Sequence, residues 1–219
     1  MSLGGTLAQW FQRQGLRLLT RHCVVRGFPT VIVNSRPDIE TKAVIGRLDA
    51  ALALLEAYVP HHYRRLRRDF AGFLVERRAY RGAFDVATRT CLVELTFIVN
   101  PGFTLSQVAA TILHEAMHAR LFARHIAEAR GQRHRQERFC RRAEIEFGEV
   151  APDGAPIVQR AIDALRLSDE EIAPVVDQGL AAKRVAQVDL AASTLPLWYR
   201  RRIARAHGLP DPGTGPGAA

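Results

Sequence analysis

The segment CLVELTFIVNPGFTLSQ, residues 91–107, changes its hydrophobic period partway along, and that change limits the folds open to the chain. Up to Val99 the apolar side chains alternate, with Val93, Leu95, Phe97 and Val99 on one face, as in a strand inside a sheet rather than at its exposed edge. Asn100-Pro101-Gly102 stops that run, and Thr104 with Gln107 three positions on forms a capping box that predicts a helix from Leu105. A strand therefore hands the chain to a helix through a short loop. Upstream, FLVERR and AFDVATRT carry the same period of two, with turns near Arg81-Gly82 and Thr88 to Thr90, so residues 71–99 are expected to hold two or three strands.

The flanks read as helical with one further strand. VVRGFPTVIVNS predicts a strand around Thr30 to Asn34 closed by Pro37, and Lys42 to Tyr58 repeats Val44, Ile45, Leu48, Leu52 and Leu55 at helical period. HHYRRLRRDF reads as a solvated helix edge on which the adjacent His61 and His62 point apart, not as a metal pair. Helical patterns recur over Glu128 to Glu146, Ile157 to Leu167, from Asp169 after a Ser168–Glu171 capping box, and over Pro196 to Ala206. An amphipathic basic helix over residues 5–20, packed on the domain, is expected at the N-terminus. The expected fold class is α+β: a small mixed or antiparallel sheet with a motif-bearing helix, plus N- and C-terminal helices, in one domain over 1–208. Its core spans about 24–150, its helical C-terminal part 156–208, and a disordered Pro/Gly-rich tail 209–219.

Composition excludes several classes. The longest apolar stretch, Leu92 to Val99, is interrupted by Glu94 and Thr96 and falls far short of the roughly 20 residues a membrane span needs. Gln9, Gln12, Arg13 and Gln14 break up any secretory signal, so a cytoplasmic location is expected. Three separated cysteines, Cys23, Cys91 and Cys140, suggest buried thiols and neither a disulfide framework nor a cysteine zinc site. The net charge of +9 fits nucleic acid, an anionic membrane surface or an acidic partner; it also fits a GC-biased composition, since only Lys42 and Lys183 are lysine.

Within the helix that starts at Leu105 stands TILHEAMHARLF, residues 111–122. His114 and His118 are i and i+4, one above the other on the same face and about 6 Å apart along the axis from the 1.5 Å rise. Two imidazoles so placed can share one ion, and Glu115, one position on, sits beside that ion where it can take a proton from a water whose pKa the ion has lowered. Chance would supply H-E-x-x-H in about 1 to 2% of chains of this composition, and would rarely supply a strand, a short loop and a capped helix around it.

Over Phe70 to Phe147 the chain resembles the zincin metallopeptidases, whose hallmark is HExxH on an active-site helix beneath a small mixed sheet. The resemblance implies one zinc ion per chain held by His114, His118 and a third ligand, with water in the fourth position, Glu115 as general base and a peptide or protein as substrate. The metzincin branch would need glycine and histidine where Leu121 and Arg124 stand. His125 is too far along a continuing helix, about 10 Å of rise beyond His118, and is better placed to end it in a left-handed turn, with Ile126 supplying a hydrophobic contact. If the chain turns near His125 to Ala127 and returns antiparallel, Glu137 falls level with the ion, which is also the gluzincin-like spacing of HExxH, eighteen residues and Glu. If the helix runs on to Gly131, Glu144 takes that place. Glu137 is favoured; whichever of the two does not bind would support a ligand from behind. Cys140 reads as core, and Tyr199 and His207 are the C-terminal candidates for stabilising an oxyanion.

The expected function is a zinc-dependent intracellular metallopeptidase that binds an extended peptide against strand Cys91 to Val99 or its neighbour. Two alternatives stand beside it. One is a DNA-associated protease like the SprT-type zincins, motivated by the basic runs Arg64 to Arg68, Arg77 to Arg81 and Arg200 to Arg205. The other is a non-catalytic scaffold whose HExxH is degenerate.

Overall fold

The computed structural model describes residues 19–126, 133–174, 178–192 and 197–213. The basic helix expected over residues 5–20 lies almost wholly outside them, and where its last turn was expected Thr20 already opens strand β1 (Thr20–Val25). Arg26 and Gly27, both at positive φ (47° and 82°), turn the chain into β2 (Phe28–Val33). Two positive φ values in a two-residue connection match the twist of paired strands. The sequence reading found the second strand of this hairpin and missed the first, because Arg-Gly is a weaker turn signal than Asn-Gly.

Helix α1 (Thr41–Tyr58) buries Val44, Leu48, Ala51, Leu52 and Leu55, the face its period predicts. Pro60 then opens α2 (Pro60–Asp69) at a position where the missing N–H is harmless. This helix is more than a solvated edge, since His62, Tyr63 and Leu66 are buried. Three strands follow: β3 (Gly72–Glu76), β4 (Gly82–Asp85) and β5 (Thr90–Glu94). They complete a five-stranded mixed sheet of order β1-β2-β3-β5-β4, in which β2, β3 and β5 run parallel while β1 and β4 lie antiparallel at the two edges. The register aligns Thr30, Phe73 and Cys91, then Ile32, Val75 and Val93, on one buried face.

The strand expected to run from Cys91 to Val99 stops at Glu94, and Leu95–Val99 is a short helix, α3. Glu94 causes the change. Its carboxylate accepts from the Phe97 N–H at 2.6 Å and from the Thr96 hydroxyl at 2.7 Å, and it is ion-paired with Arg77. A side-chain acceptor aimed back at the third residue on is a helix cap, which no strand could use. Leu95 and Ile98, three residues apart, are both fully buried. As expected, β5 still lies inside the sheet.

Helix α4 (Leu105–Ala123) begins where predicted, with Thr104 and Gln107 forming the reciprocal capping box. Arg47 of α1 anchors the loop before it by donating to the carbonyls of Ile98 and Phe103. All residues from Val108 to Ala116 are buried, as expected of a helix enclosed by β4, β5, α1, α2 and the next helix. It ends at His125, whose φ of 57° is left-handed; His125 N–H bonds the Phe122 carbonyl and Ile126 N–H the Leu121 carbonyl. That pair of bonds is the Schellman stop.

Helix α5 (Arg133–Gly148) packs against α4 and is followed by α6 (Ala155–Leu165), the one-turn α7 (Asp169–Ile172) behind its capping box, α8 (Gln178–Ala192) and α9 (Leu197–Ala206). The tail expected to be disordered is described to Gly213, with Asp211 ion-paired to Arg201; residues 214–219 lie outside. Among the described residues no helix is long and apolar enough to cross a membrane. The capped start of α4 contributes measurably to stability: Thr104→Ala is expected to lower it by about 1 kcal/mol. Urea unfolding checks this, through a lower midpoint at unchanged slope.

Candidate metal centre

The middle of α4 places two imidazoles and the Glu115 carboxylate in a region where ionisable groups are costly unless they pair, and α5 adds the carboxylates of Glu137 and Glu144. His114 Nε2 and His118 Nε2 lie 3.2 Å apart. Glu137, reaching over from α5, completes a triangle with one oxygen 3.2 Å from His114 Nε2 and the other 3.4 Å from His118 Nε2. Two ligand atoms on a tetrahedral ion at about 2.0 to 2.1 Å stand about 3.3 to 3.4 Å apart, so the Nε2 pair has the spacing of two zinc ligands, and Glu137 sets one oxygen against each ring.

Glu144, two turns beyond Glu137 on α5, is brought elsewhere. Its carboxylate meets His114 Nδ1 at 2.9 Å on the far side of the ring and is fully buried. Arg141 contacts both its oxygens, at 2.9 and 3.0 Å, and Arg160 of α6 approaches at 3.5 Å. In the neutral ring, a carboxylate accepting from Nδ1–H selects the tautomer that leaves the Nε2 lone pair facing His118 and Glu137.

Electrostatics follow from this packing. Burial disfavours a charged His114, but its hydrogen bonds to Glu137 and Glu144 and the charge of Glu115 overcome that and raise its pKa to about 9. Burial likewise opposes ionisation of Glu137 and Glu144. Contact with the histidines outweighs it in Glu137, and contact with His114 together with the nearby arginines outweighs it in Glu144, so both carboxyls titrate below their ordinary range. Glu115 moves the other way: burial raises its pKa, with the nearby histidines opposing. Cys140, fully buried one turn from Glu137, has its sulfur within 4.8 Å of donor nitrogens of His114 and His118. Burial and the surrounding carboxylates push its thiol pKa far up in the metal-free protein.

Glu115 faces two clefts that meet at His114. The larger, about 500 Å³, runs along β4 past Tyr80, Phe84, His118, Phe122 and Glu137. The smaller, about 320 Å³, is bounded by Arg81, Gly82, Arg141, Glu144 and Arg160. Gly82 sits where they join: a Cβ there would lie 2.8 Å from Thr111 Cγ2 and 3.2 Å from both Cγ and Oε1 of Glu115, so only glycine lets β4 approach the helix this closely.

Other candidates are placed apart. His125 is at the C-terminal stop of α4, and His207 lines a separate cleft with Arg77 and Asp189. The side chain of Tyr199 lies outside the described residues. His61 and His62, expected to diverge, instead converge: their Nε2 atoms meet the two oxygens of Glu146 at 3.0 and 3.1 Å, joining α2 to α5. Of the arginines of the smaller cleft, Arg81 was marked from sequence only as a turn residue at the end of a basic run, and Arg141 and Arg160 were not singled out. Arg141 had a local signal, three residues before Glu144 on one helix face, whereas Arg81 and Arg160 are assembled by tertiary packing alone.

Comparison with protein-family models, curated proteins and solved structures finds no match to this chain.

Stability of the metal-free protein should depend on His114. With an ordinary value of 6.5 and a folded value of about 9, the imidazolium stabilises the fold fully below pH 6.5 and loses that contribution as pH rises through about 9. The melting temperature of chelator-treated protein should therefore fall more between pH 6.5 and 9 in the wild type than in His114→Gln; equal slopes would refute this.

Proposed function

We propose that the chain is a zinc-dependent hydrolase of the metallopeptidase class, with His114, His118 and Glu137 as the protein ligands of one ion. The observation that carries this reading is the pair of Nε2 atoms 3.2 Å apart with the Glu137 carboxylate spanning both, one oxygen 3.2 Å from His114 and the other 3.4 Å from His118, and with Glu144 on the outer nitrogen of His114. Held by His114, His118 and Glu137, the ion would supply Lewis acidity, lowering the pKa of water and polarising a carbonyl. The chain's own residues do the rest. Glu144 holds the His114 ring in position, and Arg141 and Arg160 hold Glu144. Glu115, next to the triangle and not part of it, takes the proton of the attacking water and returns it to the leaving amine. A carboxyl whose pKa burial raises is suited to that exchange near neutral pH.

The edge strand β4 offers the natural seat for an extended peptide. β5 has partners on both sides, β3 and β4, and cannot accept another strand. β4 has one, and its free side opens on the larger cleft, with His118 and Glu137 in the wall. Main-chain hydrogen bonds to β4 would position the scissile carbonyl beside Glu115. No observation favours nucleic acid to the same degree: of the run Arg77 to Arg81, Arg77 is ion-paired with Glu94 and Asp189, and Arg78 with Glu76.

The purified protein is expected to carry one equivalent of zinc. Glu115→Gln should retain it while peptide turnover falls about 100- to 10,000-fold. A wild-type chain that stays metal-free after reconstitution with zinc overturns the reading. Glu144→Gln, which leaves the donor triangle untouched, should weaken zinc binding by about 10- to 100-fold, measured by competition with a chromogenic chelator.

A further inference from the structure

Resting on the peptidase reading above, we propose that the cleft between Arg81 and Arg160 binds the C-terminal carboxylate of the peptide, so that the enzyme removes residues from chain ends. Three arginines, Arg81, Arg141 and Arg160, line a space of about 320 Å³ that holds two carboxylates among the described residues, Glu115 and Glu144. Glu144 is already shared by His114, Arg141 and Arg160. Arg81 makes no ion pair among the described residues. Its guanidinium lies over the rings of Phe103 and Phe97, at 4.4 and 5.5 Å from their centroids. Partial burial and the like charge of Arg160 lower the Arg81 pKa. An incoming carboxylate relieves that repulsion and finds a planar, bidentate donor held by two aromatic faces.

Strand polarity explains why the anion is a chain terminus. β4 runs from Gly82, beside Glu115, to Asp85. A peptide added antiparallel, the more stable ladder, runs the opposite way and brings its C-terminal end to Gly82 and Arg81. A Cβ on that glycine would meet Glu115, so the carbonyl Glu115 serves is about one residue, some 3.4 Å of strand rise, from the arginines. In the reaction the water oxygen bonds to that carbonyl carbon, the C–N bond breaks, and Glu115 passes the water's proton to the departing amine. A free amino acid leaves through the smaller cleft.

The test uses three N-acetylated peptides of one sequence: one with a free C-terminal carboxylate, one with a C-terminal amide, and one amidated but ending in aspartate. Calorimetric titration into zinc-treated Glu115→Gln protein should show the free acid binding at least about tenfold tighter than the plain amide, a difference of about 1.4 kcal/mol. Adding Arg81→Gln should reduce that ratio to within about twofold, and Arg81→Lys should restore part of it, because a point charge lacks the bidentate fork. With wild-type protein, mass spectrometry should find single residues released from the acid alone. Equal binding of acid and amide, a preference that survives Arg81→Gln, or equal cleavage inside both peptides overturns the proposal. Tight binding of the aspartate amide overturns it in favour of an acidic side chain. Zinc content, read in parallel, separates the two readings: full zinc with no acid preference removes the subsite alone, and absence of zinc removes the metal reading. An acid preference in zinc-free protein still supports the subsite.

Discussion

The left-handed turn at His125 decides where every later residue of the site falls. By bonding the carbonyls of Phe122 and Leu121, His125 and Ile126 end α4 two turns after His118. The returning α5 then presents Glu137 to the two Nε2 atoms and Glu144 to the opposite side of His114. Had α4 continued another turn or two, the level of Glu137 would have been taken by a residue nearer Glu144, because antiparallel helices trade register residue for residue. One backbone conformation thus assigns two chemically identical side chains to different tasks.

That assignment places several charged or polar groups in an apolar setting. Val108 to Ala116 is buried throughout, and α4 is enclosed by sheet and helices. Burial alone would neutralise carboxyls there, and Glu115, which no hydrogen bond supports among the described residues, moves in that direction. Glu137 and Glu144 move the other way, held ionised by the histidines and, for Glu144, by arginines. Neighbouring acidic groups are driven apart in pKa by what they touch, the condition under which one can hold a cation while another exchanges protons.

The sheet contributes position. Its two outer strands run against the parallel trio, and the outer strand nearest α4 comes so close that a Cβ on Gly82 would crowd Thr111 and Glu115. Glu94 makes this possible by stopping β5 and starting α3, which carries the chain off the sheet toward the loop that Arg47 fastens. Its capping role went unread because Leu95, Phe97 and Val99 satisfy alternation as well as they satisfy a short buried turn. Period is ambiguous over five residues, and the capping carboxylate arbitrated.

The sequence by itself determined the features that depend on neighbours along the chain: the cap at Thr104, the i and i+4 placement of His114 and His118, and the two stops open to α4, at His125 or at Gly131, with Glu137 favoured over Glu144 to face the histidines. All rest on helix geometry, which is local and has a fixed rise and period. The tertiary structure decided what depends on distant segments meeting. It paired β1 with β2, turned His61 and His62 onto Glu146, pressed Gly82 against Glu115, and gathered Arg81, Arg141 and Arg160 from a loop and two helices around one cleft. No spacing in the chain encodes those meetings, because they are set by how sheet and helices pack around a shared core.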